Sequence, residues 1–313
     1  MRWAPGNMQE SVDRWGLVPD GERFSTRSSE LLPVLHDGRP AMLKVALVEE
    51  EALGGFVLAA WDGHGAAQVF EADEHAVVVE RAVSGRDLAA LTADGRDLDA
   101  VGILCDTLAT LHAGSAAALR RLDERVGGGT GSGHHVSSAA RPEEPTERTL
   151  PAQPVPLRTW FRDLATRAAA HPDDDGGFWT RAWEAADRRL SATSHEDIVL
   201  LHGDLHHKNV LEFAAGDWRA IDPKAIIGHR AFDYTNIFCN PDAATAADPE
   251  LFLDRVALVS ARARIDRGEL LEWIIAWSGL SAAWHVTDGR ADRAAEIIGG
   301  GSLAELALAR VRR

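Results

Sequence analysis

The chain has 313 residues, 45% of them apolar and 26% charged, which is enough for one or two folded domains and unlike a disordered chain. Its formal net charge of −15 excludes general nucleic-acid binding, which needs clustered Lys and Arg; an acidic surface is common among soluble proteins and also suits a cationic substrate. Cys105 and Cys239 stand far apart with no CxxC pair, "MRWAPGNMQE" lacks a signal-peptide core, and no apolar run approaches the roughly 20 residues of a membrane helix, so a cytoplasmic, non-membrane protein without a thiolate metal site is expected.

The N-terminal part reads mostly as strands. "ELLPVLHDGRPAMLKVAL" places two apolar runs around Asp37-Gly38, a strong hairpin signal. "EEEALGGFVLAAW" reads as a helix weakened by Gly54 and Gly55, and "AAQVFEADEHAVVVE" as a second pair of strands around a polar turn. The expectation is a small antiparallel sheet with one helix.

After "RAVSGRDL" the apolar period becomes helical. Val101, Leu104, Cys105, Leu108, Leu111 and His112 share one face; Leu157, Trp160, Phe161, Leu164 and Ala168 a second; Trp179, Ala182, Trp183, Ala186 and Leu190 a third. Residues 249–264, 269–286 and 291–311 read as further helices, and tryptophans on such faces are more often core than ligand platforms. Residues 127–156, rich in Gly, Ser and Pro, read as a mobile insert in which His134 and His135 are solvated. "DIVLLHGD", "NVLEF" and "WRAID" read as short strands within the helical part. The whole is an α+β chain.

"VLLHGDLHHKNVL" holds His202, Asp204, His206, His207 and Asn209, and admits two readings. A zinc site would use His202 and His206, but residues four apart converge on one face only in a helix, and the flanking runs are β-like. A phosphotransfer site needs a base for an attacking hydroxyl, a nearby metal-binding Asn and a second Asp for magnesium. Asp204, Asn209 and Asp222 of "AIDPK" supply these in order, with the D-x-x-x-x-N spacing of a kinase catalytic loop. The plainer account of Asp222 is a strand-end turn residue before Pro223.

The upstream half fits the second reading. Lys44, at the third predicted strand, is placed to hold nucleotide phosphates, although it also fits a plain strand charge. Glu49, Glu50 and Glu51 are its candidate partners, and Glu51 is preferred as the one inside the helix. Adenine would meet main-chain groups of Glu80 and Ala82 in "VVVERAV". No G-x-G-x-x-G loop is present; Ser28 and Ser29 of "GERFSTRSSELLPV" are the candidate phosphate contacts in its place.

"LLHGDLHHKNVL", "RAIDPKAIIGHRAFDYTNIF" and "WDGHGAAQVFEADEHAVVVERA" resemble the aminoglycoside phosphotransferases. "IDPK", "WDGHG" and "LSAAWH" are similar to the streptomycin 6-kinase and hydroxyurea phosphotransferase branch. The resemblance runs from about Trp15 to the C-terminus, apart from the insert. It implies a bilobal protein-kinase-like fold, with a β-rich nucleotide-binding lobe over 1–82 and a helical catalytic and substrate lobe over 83–313. It implies ATP and Mg2+, with Asp204 as catalytic base and Asn209 and Asp222 as metal ligands. It implies that His202 orients the catalytic loop and that Asp233 braces it. The implied acceptor is a small hydroxylated, cationic molecule, streptomycin first, phosphorylated at its 6-hydroxyl. The alternatives are a kinase of hydroxyurea or another small metabolite, a nucleotide-binding scaffold without turnover, and a zinc metallohydrolase.

Overall fold

The computed structural model describes residues 4–127 and 153–311. The N-terminal part opens with helix α1 (Met8–Arg14) and the two-residue strands β1 (Val18–Pro19) and β2 (Phe24–Ser25). Strand β3 (Ser29–His36) and strand β4 (Arg39–Ala46) follow, then helix α2 (Glu49–Trp61), strand β5 (Val69–Ala72) and strand β6 (Ala76–Glu80). The strands form one antiparallel sheet in the order β1-β3-β4-β6-β5, with β2 also on β3. Asp37 and Gly38 both turn with positive φ, 49° and 76°, which is the tight hairpin that their residue types favour.

The sheet has two faces because side chains alternate along each strand. Ala41, Leu43 and Val45 point into a small core with Val34, Val78 and, from α1, Met8 and Val12. Helix α1 is therefore an addition to the single helix expected here. Its sequence is polar apart from Met8 and Val12, which are buried together with Ser11, and Asn7 caps it by accepting from the Gln9 and Glu10 amides. The short β1 and β2 also make Lys44 part of the fourth strand rather than the third.

The remaining elements are helix α3 (Leu88–Ala93), helix α4 (Asp97–Gly127), strand β7 (Val155–Pro156), helix α5 (Leu157–Trp160), helix α6 (Arg162–Ala170) and helix α7 (Asp174–Ser191). Strand β8 (Ile198–Leu201), strand β9 (Val210–Ala214), strand β10 (Asp217–Ala220) and strand β11 (Ile226–His229) come next, followed by a 3-10 segment, Arg230–Ile237. Helix α8 (Ala243–Ala246), helix α9 (Pro249–Ala263), helix α10 (Arg267–Thr287), helix α11 (Ala291–Ile298) and helix α12 (Leu303–Val311) complete the chain. The helical faces read from the sequence point inward: Val101, Leu104, Leu108 and Leu111 of α4 are buried, as are Phe161, Leu164, Trp179 and Ala182. Helix α10 is apolar nearly all round and is the core helix on which α7, α11 and α12 pack.

Two boundaries and one helix's apolar length differ from expectation. The helix read over 291–311 breaks at Gly299-Gly300-Gly301, where three glycines raise the entropic penalty of helix. The segment read as an insert over 127–156 ends in a strand: β7 pairs in parallel with β11, and the Val155 amide donates to the Ala225 carbonyl at 2.7 Å. His134, His135 and the rest of that segment between 128 and 152 lie outside the described residues. Finally, α4 is long and apolar enough over Asp97–Glu124 to cross a membrane by length and composition. Half of its most apolar 18-residue window is buried within the protein.

Candidate active site

The strand order brings four separated segments together. Helix α2 ends in a left-handed Asp62, and the "WDGHG" turn beyond it docks on β10: Ala67 N donates to Ala220 O at 2.8 Å and Ala220 N to Gly65 O at 2.9 Å. One residue further on, the chain leaves β10 as Ile221-Asp222-Pro223. Asp222 turns with φ 63°, a conformation that Asp tolerates better than most residues. A side chain at Gly54 would collide with the Pro223 carbonyl oxygen, so this glycine lets α2 lie against the turn that presents Asp222. The connection after β6 is held to the β9–β10 hairpin by Ser84 Oγ donating to Glu212 O at 2.7 Å and by Arg219 to Glu80 at 2.7 Å.

Between these segments lies a cluster of charge. Lys44 Nζ donates to Glu51 Oε2 at 2.6 Å and also meets Asp222 Oδ1. The other Glu51 oxygen takes Lys224 Nζ. Burial works to raise the Glu51 pKa, but the two ammonium groups outweigh it and hold it at about 2. Glu50, one residue earlier, is exposed and lines a neighbouring cleft, so of the three acids Glu51 is the one on Lys44. Ser29 is buried at the start of β3 and donates to Glu51 Oε2 at 3.4 Å, which places its hydroxyl under this pair; Ser28 beside it is half-buried.

The segment after β8 that carries Asp204 is tied down from below. Asp233, 2% exposed, accepts from the amides of His202 at 2.9 Å and Gly203 at 2.7 Å and from His112 Nε2 at 2.8 Å. His202 is fully buried and stacks on Trp61. Its Nε2 donates to Ile221 O at 2.9 Å while Nδ1 accepts the Asp204 amide at 3.3 Å, so one neutral tautomer joins the Asp204 loop to the Asp222 turn. Burial keeps that imidazole neutral by lowering its pKa to about 4.

Asp204 sits above this brace with its side chain about a third exposed (35%). Asn236 Nδ2 donates to Oδ1 at 2.8 Å, which leaves the second oxygen for a ligand. Burial raises the Asp204 pKa to about 6; Asp222 and Glu51 add to the rise and Lys224 opposes it. Asn209 Nδ2 donates to the Asp204 main-chain carbonyl at 2.9 Å, fixing the amide and leaving its oxygen as a donor atom. The Asn209 oxygen and the partly exposed Asp222 carboxylate are hard donors of the kind that suit Mg2+. A cation, Lys44, already stands on Asp222, so the residues present fit that ion.

The zinc reading finds little here. Both His202 nitrogens are engaged, and His206 Nδ1 accepts the Lys208 amide at 3.1 Å. Among the described residues no group of three or more His, Cys, Asp or Glu could hold a metal. The nucleotide end is less compact. Glu80 N donates to Gln68 O at 2.8 Å, and the Ala82 carbonyl accepts from Gly85 N at 3.3 Å.

On the other side of Asp204 opens a cleft of about 690 Å³ lined by Lys224, Arg162 and Arg290, by Glu50, Asp163 and Asp288, and by three tryptophans, Trp160, Trp277 and Trp284. Trp284 meets Trp160 edge-on at 5.3 Å and Trp277 at 5.8 Å. These tryptophans sit on helices read as core-facing; their spacing is helical, and the ring contact of Trp160 on α5 with Trp284 on α10 brings them to a shared opening. Lys224 and Asn236 were likewise not singled out from the sequence. The signal for Lys224 was a lysine in a turn that otherwise reads as structural.

Comparison with known proteins gives the family and the fold. Residues 14–125 and 135–289 match the family described as aminoglycoside/hydroxyurea antibiotic resistance kinase. The chain is 38% identical over 283 residues to a streptomycin 3''-kinase of Klebsiella pneumoniae, covering 89% of this chain and 92% of that one. It is 28% identical over 293 residues to a streptomycin 6-kinase of Streptomyces griseus, covering 91% and 84%. The crystal structure of a thermostable mutant of aminoglycoside phosphotransferase APH(4)-Ia, a ternary complex with ADP and hygromycin B, superposes with a TM-score of 0.60 at 17% identity over 97% of each chain. The bilobal, protein-kinase-like fold is thereby shown, and with the family match over most of its length the chain belongs to the aminoglycoside/hydroxyurea antibiotic resistance kinases and is a phosphotransferase.

Proposed function

We propose that the protein transfers the γ-phosphoryl group of ATP to a hydroxyl of streptomycin in the cytoplasm. Residues 1–82 form the nucleotide side and 83–313 the catalytic and acceptor side. The observation that carries the reading is the convergence of Asp204, Asn209, Asp222 and the Lys44–Glu51 pair beside a cleft lined by three tryptophans and by charges of both signs, the carboxylates of Glu50 and Asp163 among them. A guanidinium-bearing acceptor suits those walls, since carboxylates pair with it and indole faces attract it. The nucleotide lies under β3 and β4, with the main chain of Glu80 and Ala82 facing the base and Ser28 near the phosphates.

Phosphoryl transfer asks the protein mainly for position and charge. Asp204, held through one oxygen by Asn236, presents the other to the acceptor hydroxyl and takes its proton. Asp222 and Asn209 would hold Mg2+, which neutralises phosphate charge when bound. Lys44, aimed by Glu51, takes the remaining phosphate oxygens.

Two hydroxyls compete. The 6-hydroxyl is the position first expected, and the 38% identity to the streptomycin 3''-kinase makes the 3'' position the second reading. Purified protein with magnesium, ATP and streptomycin should release ADP only when the acceptor is present, and phosphorus–proton NMR of the product assigns the position. ADP release unchanged by streptomycin overturns the acceptor; hydroxyurea, named in the family description, is then the next acceptor to measure.

A further inference from the structure

We propose that Lys224 is a catalytic residue that contacts the transferring phosphoryl group and stabilises its charge in the transition state. The proposal rests on the roles assigned to Asp204 and Asp222. Phosphoryl transfer runs between those two carboxylates: the nucleotide end lies at Asp222 and the attacking hydroxyl at Asp204. Lys224 stands two residues past the first and lines the same cleft as the second.

Its backbone is fixed there. The Lys224 amide donates to the His202 carbonyl at 2.7 Å, which locks the strand-turn to the loop that carries Asp204. Gly203, between His202 and Asp204, has φ 78°, and a Cβ on it would lie 2.6 Å from the Ile226 side chain and 3.1 Å from Lys224 Cβ. The loop thus closes on Lys224 only because position 203 has no side chain. The side chain is 15% exposed, and its ammonium group rests on Glu51 Oε1.

The pairing is unequal in a telling way. One carboxylate, Glu51, serves two lysines. Lys44 has a second partner in Asp222, whereas Glu51 is the carboxylate on which Lys224 rests while it faces the acceptor side. A lysine that only pinned α2 would duplicate the work of Lys44 and would not need a place in the cleft. A cation held on a shared carboxylate is one that an incoming phosphoryl group can draw across.

In the step itself, the acceptor oxygen forms the new O–P bond as its proton passes to Asp204. The bond from phosphorus to the bridging oxygen breaks, and its electron pair leaves on ADP. Lys224 exchanges no proton; it balances the charge on the oxygens of the group in flight.

The test uses Mg-ADP with fluoroaluminate, which mimics that group and needs no acceptor. Thermal melts of the full chain should show a stabilisation by Mg-ADP and a further increment with fluoroaluminate. Lys224→Met and Lys224→Gln should keep the first and lose the second; Gln also keeps a hydrogen bond to Glu51, so it serves if Met does not fold. Lys224→Arg should keep the increment. Turnover of the Met and Gln variants should fall about 10³-fold, the scale of a charge-stabilising cation in such reactions, with the KM for ATP changed less than about threefold. An increment retained in both uncharged variants, a parallel loss of Mg-ADP binding, or no increment in the wild type overturns the assignment. Because no acceptor enters the melt, failure of streptomycin as substrate leaves this result readable.

Discussion

Two buried groups of charge in this protein are built to opposite rules. Arg255 of α9 meets Asp97 at the start of α4 through Nε at 2.8 Å and Nη2 at 2.5 Å, and its Nη1 donates to the carbonyls of Ile237 at 3.0 Å and Asn240 at 2.8 Å. Thr92 completes Asp97 at 3.0 Å, and the Arg255 side chain is 1% exposed. Burial works to raise the Asp97 pKa, and Arg255 outweighs it. That group is closed: a planar fork meets a carboxylate, and further carbonyls take up the arginine. The Lys44–Glu51–Lys224 group is open. It uses two point charges on one carboxylate, shares a third partner at Asp222, which is 38% exposed, and borders the cleft. Closure marks a joint between helices; sharing and exposure mark a place where partners are to change.

The largest expected effect lies at the open site. Asp204→Asn keeps the shape and an oxygen for Asn236 but cannot take the proton. Turnover should fall by about 10³-fold or more, with the Mg-ATP stabilisation in a melt nearly unchanged. A variant with half the wild-type turnover would remove Asp204 from the chemistry and leave the open group without a purpose.

Next come two substitutions that set the groups directly against each other. Arg255→Met strands Asp97 in the core and should lower folding stability by about 3–5 kcal/mol, read by urea unfolding. Lys44→Met leaves Glu51 paired with Lys224, so stability should change by less than about 1 kcal/mol, while calorimetry in magnesium should show ATP binding at least about tenfold weaker. The contrast fails if both variants lose stability alike, or if the Lys44 variant binds ATP normally.

The same contrast explains what was readable in advance. Local signals translated directly: Asp37-Gly38 became a tight hairpin, the faces of α4 and α7 turned inward, and the spacing from Asp204 to Asn209 is short enough for a single loop to bring them together. Lys44 with Glu51 spans seven residues, and the register of a strand and the helix after it suffices to join them. What escaped depends on distant packing. Lys224 reaches Glu51 across 173 residues of sequence and Asn236 reaches Asp204 across 32, and neither residue type announces such a contact. Helix α1 gives a weak sequence signal because only Met8 and Val12 among its residues are apolar, although Asn7 stands in place as a cap. The break between α11 and α12 was visible as three glycines and was outweighed by the helical period on either side.

The smallest expected effect tests the closed group for a third charge. His207 lies where the charges of Arg255 and Asp97 act on it; its ring is buried, and among the described residues neither ring nitrogen has a hydrogen-bond partner. Burial, with the Arg255 charge adding, lowers its pKa to about 3 from an ordinary 6.5. Its pKa is depressed on folding, so below pH 6.5 the unfolded chain takes up a proton that the folded chain refuses. Stability therefore falls with pH from 6.5 down to about 3, by about 1.4 kcal/mol per pH unit from this residue alone. His207→Leu removes that uptake. Urea unfolding at pH 7 and pH 5 should show the variant losing about 2 kcal/mol less than the wild type over the interval. Equal losses would mean that the ring is protonated in the folded state. The closed group would then hold a spare cation as the open one does, and charge count would no longer tell a structural joint from a catalytic one.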